Sequence, residues 1–104
     1  MTQKTLYPHW NELVVYGESR PEPTVLVQGD QYRAVIGGLK AGGSMPPHEE
    51  GPVLIHFLEG TGRMTVGEET LAVQAGATVV VPDGAVRGME AVTQLAFLAV
   101  MLPS

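Results

Sequence analysis

Gly76-Ala77-Thr78-Val79-Val80-Val81-Pro82-Asp83-Gly84-Ala85-Val86-Arg87 is the stretch that decides the fold. Gly76 ends a turn, three consecutive β-branched valines make a buried strand, and Pro82-Asp83-Gly84 forces a sharp bend. The chain is then aimed back along a new strand starting near Arg87. A second frame of the same kind covers residues 48–60 and wraps around the apolar run 53–58. Spacing this tight fixes which side chains meet across a sheet, so the two frames define a place as well as a shape.

Working outward, strand signals recur at short intervals. Residues 24–28 (Thr-Val-Leu-Val-Gln) are followed by a Gly29-Asp30 turn, and residues 31–39 form the next strand, with Lys40-Ala41-Gly42-Gly43 as its exit. After the run 53–58, Gly60-Thr61-Gly62 makes a turn, and residues 63–66 and 69–73 alternate polar with apolar around Gly67-Glu68. Residues 78–81, 86–91 and 95–102 complete the set. The stretch 91–101 could pass for a helix by composition, but β-branched Val92, Thr93 and Val100 favour a strand. About nine strands without a helical period predict a closed or sandwiched all-β fold.

Residues 1–23 are less regular and read as an N-terminal arm with one strand, the ninth of the count, and residues 24–104 as the barrel of a single domain. The arm holds Leu6-Tyr7-Pro8-His9-Trp10, then the short apolar run Leu13-Val14-Val15-Tyr16, and Pro21-Glu22-Pro23 stops any helix. It is expected to pack on the barrel or on a second subunit, because its aromatic side chains would otherwise stay wet.

Composition narrows the function classes. The chain of 104 residues has 44% hydrophobic and 16% charged residues, with thirteen Gly and eight Pro to punctuate many turns. Eleven acidic against six basic residues give a net charge of −5, with no basic stripe; nucleic acid and anionic membrane are therefore poor partners. The absence of cysteine excludes disulfides, thiolate metal sites and a cysteine nucleophile. With no apolar run of membrane-spanning length, a cytoplasmic protein is expected.

The two frames together resemble the paired motifs of the cupin superfamily, over roughly half the chain. Gly76, Pro82 and Gly84 occupy the second motif's Gly and Pro-x-Gly positions, and Arg87 stands where that motif ends in a metal-binding His. In the first motif, counting back from Gly60 puts Val53 at the Glu position, His48 at the second His and Pro46 at the first. The resemblance implies an antiparallel double-stranded β-helix, a jelly-roll barrel of the small, RmlC-like, single-domain kind. It also implies a degenerate metal site, since only His48 of the family's ligand set is kept. No cofactor is expected; a divalent transition metal would have to use His48 and His56.

If position 53 faces the interior, as the family's Glu does, Ile55 and Phe57 do so too, with Met64 from the next strand. The lining is then apolar, with His48 and Arg87 as the strongly polar groups near its mouth. His48 could ligate a metal, act as a base, or simply bond to a neighbour such as Glu49 or Glu50. His56 lies out of phase and points to the outer face, unless the Gly51-Pro52 turn shifts the strand and returns it to His48. Arg87 cannot ligate a metal. It either reaches solvent and pairs with Glu90 or Asp83, or turns inward and clamps an anion. Arg33 and Tyr32 read as exposed or packed. The resulting expectation is a homodimeric binding barrel for a small organic molecule, an anion being one such ligand, held by His48, Arg87, Ile55, Phe57 and Met64. The alternative is a metal-dependent enzyme of the dioxygenase or isomerase type using His48 and non-standard ligands.

Overall fold

The computed structural model describes residues 4–103. Met1–3 of the arm and Ser104 of the barrel lie outside the described residues. A single 3-10 turn, Trp10–Glu12, precedes ten strands. These are β1 (Tyr16–Gly17), β2 (Thr24–Gln28), β3 (Arg33–Leu39), β4 (Ser44–Glu49), β5 (Val53–Glu59), β6 (Thr61–Val66), β7 (Glu69–Gln74), β8 (Thr78–Val81), β9 (Val86–Ala91) and β10 (Leu95–Met101).

The strands form two sheets. One has the order β1-β3-β10-β5-β8, with β2 also on β3; the other has the order β4-β9-β6-β7. From β3 onward the chain passes repeatedly between sheets, so that β10 lies between β3 and β5 while β9 lies between β4 and β6. All pairings are antiparallel except β1 with β3. This is an all-β jelly roll. The strand at 78–81 and its successor at 86–91 fall where the valine run and the Pro82-Asp83-Gly84 bend place them.

One strand lies outside the sequence expectations. β4 carries Pro46 and Pro47, which remove two backbone donors, and its register with β9 slips between Met45 and His48. The strand tolerates this because it is the edge of its sheet, where a missing donor breaks no second ladder.

The core lies between the sheets. Val53, Ile55 and Phe57 of β5 are 1%, 2% and 0% exposed, in alternation with half-buried Leu54 and His56. Phe57 meets Phe97 of β10 with ring centroids 6.2 Å apart and tilted by 57°. Met64, Val81, Leu39 and Leu95 close the layer, each fully buried. Side chains of this kind each contribute roughly 1.5–3 kcal/mol by leaving water. The arm packs on the same barrel. Tyr16 lies opposite Gly38, the Tyr7 hydroxyl donates to the Leu26 carbonyl at 3.0 Å, and Thr24 Oγ1 donates to the Leu13 carbonyl at 2.8 Å.

Candidate functional site

Arg87 is the one charged side chain in the buried interior, 3% exposed, among the described residues. Strand alternation puts it there. Arg87, Met89 and Ala91 share the inner face of β9, while Val86 and Glu90 face out. The expected solvent-facing pairing with Glu90 or Asp83 is therefore overturned, and Glu90 instead takes Arg63 at 2.9 Å. Burial of a guanidinium must be offset locally. Its Nη1 donates to the carbonyls of Gly51 at 3.0 Å and Glu50 at 3.3 Å, and its Nη2 donates to Glu50 Oε2 at 3.2 Å. Burial lowers the Arg87 pKa from its ordinary value, while the Glu50 charge works in the opposite sense. An arginine so adjusted still carries its charge at neutral pH.

His48 lies opposite Arg87 on β4. Its Nε2 is 3.0 Å from the same Glu50 Oε2, and its Nδ1 is 3.1 Å from the Pro46 carbonyl. Glu50 is thus shared by an arginine and a histidine, and both ring nitrogens of His48 are engaged. The Glu50 side chain is 56% exposed, so it reaches these partners from the rim.

Beneath the rim is a cavity of about 220 Å³ between the sheets. Its walls are apolar: Val35, Ile55, Phe97, Ala99 and Met89, with Val53, Met45 and Met101. Pro21 and Pro23 of the arm border it, while His9 and Trp10 do not line it. Its charged lining consists of Arg33, Arg87 and Glu50. A wider cleft of about 630 Å³ beside β7 and β8 has only the acidic Glu68 and Glu69 as charged lining.

Of the residues singled out from the sequence, the structure brings Arg87 and Ile55 to the cavity, with His48 at its rim. Phe57 and Met64 are fully buried in the core and do not line it. His56 faces outward, its Nδ1 2.7 Å from Thr78 Oγ1 on β8, so it does not join His48. Arg33, expected to be exposed or packed, is a lining residue. It lies on the same face of β3 as Val35 and Gly37 and borders the cavity, with its Nε buried and without a hydrogen-bond partner. The signal was its even spacing from the buried Val35.

The donor set does not fit a metal. Among the described residues, no group of three or more His, Asp or Glu side chains is placed to hold one. At the matched positions Pro46 offers no side-chain ligand, Val53 is a buried hydrocarbon, and Arg87 is a fixed positive charge. The arrangement sets a buried positive charge beside apolar walls.

The fold agrees with comparison to known proteins. The cupin domain profile matches residues 35–101, most of the chain. Solved structures share the whole architecture. A conserved protein of unknown function from Streptococcus pyogenes is 24% identical, with 100% of this chain and 90% of that one aligned at a TM-score of 0.84. An RmlC-like cupin protein from Desulfovibrio desulfuricans is 25% identical, with 99% and 97% covered at 0.77. A cupin superfamily protein from Desulfitobacterium hafniense is 18% identical, with 100% and 95% covered at 0.84. No curated protein matches the chain in sequence. The chain belongs to the cupin family.

Proposed function

We propose that this cupin binds a small organic anion in the cavity between its sheets, and that it does so without a metal. The observation that carries this reading is the buried Arg87. A charge 3% exposed, facing an apolar cavity and held by a carboxylate that is itself 56% exposed, is a ready partner for a ligand anion. The hydrocarbon walls supply burial for the rest of the molecule. Sodium acetate or benzoate, compared with sodium chloride at equal ionic strength, should raise the melting temperature of the wild type, because a ligand that binds only the folded state stabilises it. The effect should vanish in Arg87→Met; an equal rise in both proteins would defeat the reading.

The functional unit in this proposal is a homodimer, and the acidic, cysteine-free composition suits a cytoplasmic protein. Val80, Leu54, Val100 and Ala34 stand opposite one another in a single row across β8, β5, β10 and β3. Val80 is 64% exposed, so the row presents apolar surface on the outside of the sheet. A second copy would cover it. Light scattering should give about twice the 11.1 kDa chain mass, and an 11.1 kDa species alone would remove this part.

A further inference from the structure

We infer that Arg33 and Arg87 form a two-sided clamp for one carboxylate, and that Glu50 is the internal carboxylate that the ligand displaces. The inference rests on the anion-binding reading above and specifies its ligand as a compact monocarboxylate with an apolar body. Arg33 comes from β3 of one sheet and Arg87 from β9 of the other, so each sheet brings one arginine to the cavity lining. Their satisfaction differs. Arg87 has the Glu50 carboxylate and two carbonyls, whereas Arg33 has a buried Nε without a partner and makes no ion pair among the described residues. An arginine on the cavity lining that has no carboxylate partner can take an acceptor from a ligand.

Glu50 is suited to give way. Its carboxylate reaches Arg87 from the exposed rim, and His48 already holds the same oxygen at 3.0 Å. Turning outward, Glu50 keeps His48 and water while Arg87 passes to the incoming anion. A cavity of about 150 Å³ holds benzene; by that scale about 220 Å³ takes on the order of nine non-hydrogen atoms, the size of benzoate. The walls of Val35, Ile55, Phe97 and Ala99 suit an aryl or branched alkyl group and offer no polar side chain to a second charged end.

Calorimetric titration with benzoate, benzamide and inorganic phosphate tests this, using wild type, Arg33→Met, Arg87→Met and Glu50→Gln. Benzoate should bind the wild type at least about tenfold more tightly than uncharged benzamide, and each arginine variant should lose about tenfold or more. Glu50→Gln should bind benzoate several-fold more tightly, because a competing carboxylate is gone. Loss in Arg87→Met with no change in Arg33→Met would overturn the clamp and leave the anion cavity standing. Weaker binding in Glu50→Gln would overturn the displacement, and preference for phosphate would overturn the ligand class. If neither anion binds the wild type, the proposed function itself falls with the clamp.

Discussion

Arg87 holds its place through a short list of partners, and each can be removed singly. Glu50 supplies the opposing charge, and two carbonyls of the Glu50-Gly51 turn accept from Nη1. Glu50→Ala leaves the buried guanidinium with carbonyls alone. Removing the partner of a fully buried ion pair costs several kcal/mol, but Glu50 is half exposed, so the expected loss is roughly 1–2 kcal/mol. A urea unfolding midpoint measures it, and added benzoate should restore part of the loss by supplying a new carboxylate. A second residue-scale contact links the arm to the barrel. The Tyr16 hydroxyl donates to Glu59, and its pKa is pushed from 10.0 up to about 12 by burial first and then by the Glu59 hydrogen bond and charge. The folded pKa lies above the unfolded one, so this stabilisation is fully present below about pH 10. It is lost as pH rises from about 10 to about 12, where the unfolded chain ionises first. The stability difference between wild type and Tyr16→Phe should therefore shrink across that window; parallel curves would contradict the contact.

At the scale of the element, glycines at turns separate two effects. Gly60 and Gly76 both have positive φ, 88° and 95°. A Cβ on Gly60 would overlap the Gln94 carbonyl, whereas one on Gly76 would meet nothing within 4 Å. Gly76→Ala should thus cost only the backbone term, about 1 kcal/mol, and Gly60→Ala about 3 kcal/mol or more, read as thermal midpoints. Both glycines look alike in the sequence, since the carbonyl that distinguishes them comes from a strand connection more than thirty residues away. The same limit explains what was legible and what was not. β8 and β9 are readable to the residue because a valine run and Pro82-Asp83-Gly84 are local signals. β4 is not, because Pro46-Pro47 reads as loop until the sheet shows it to be an edge. His56 is readable by parity with Val53, Ile55 and Phe57. Arg33 has the same parity signal relative to Val35, but a charge at a strand end ordinarily faces water, and that prior points the wrong way. Strand parity with Met89 and Ala91 points Arg87 inward, but the groups that offset its charge, on Glu50 and Gly51, are 37 and 36 residues distant and have no local signal.

For the whole molecule, closing two sheets over one core leaves a cavity whose chemistry is set by the few polar groups that face it. In this chain those groups are two arginines and a glutamate. A fixed cation in such a low-dielectric place repels a metal ion and attracts a carboxylate. Among the described residues no helix is long and apolar enough to cross a membrane. The proposed anion site in the jelly-roll interior can be seen directly in a crystal structure grown with excess sodium benzoate. The predicted result is a benzoate ring between Ile55 and Phe97, its carboxylate at about 2.7–3.1 Å from the Arg87 guanidinium and Glu50 turned out to the rim. A cavity without benzoate at saturating concentration, with Glu50 still on Arg87, would contradict it.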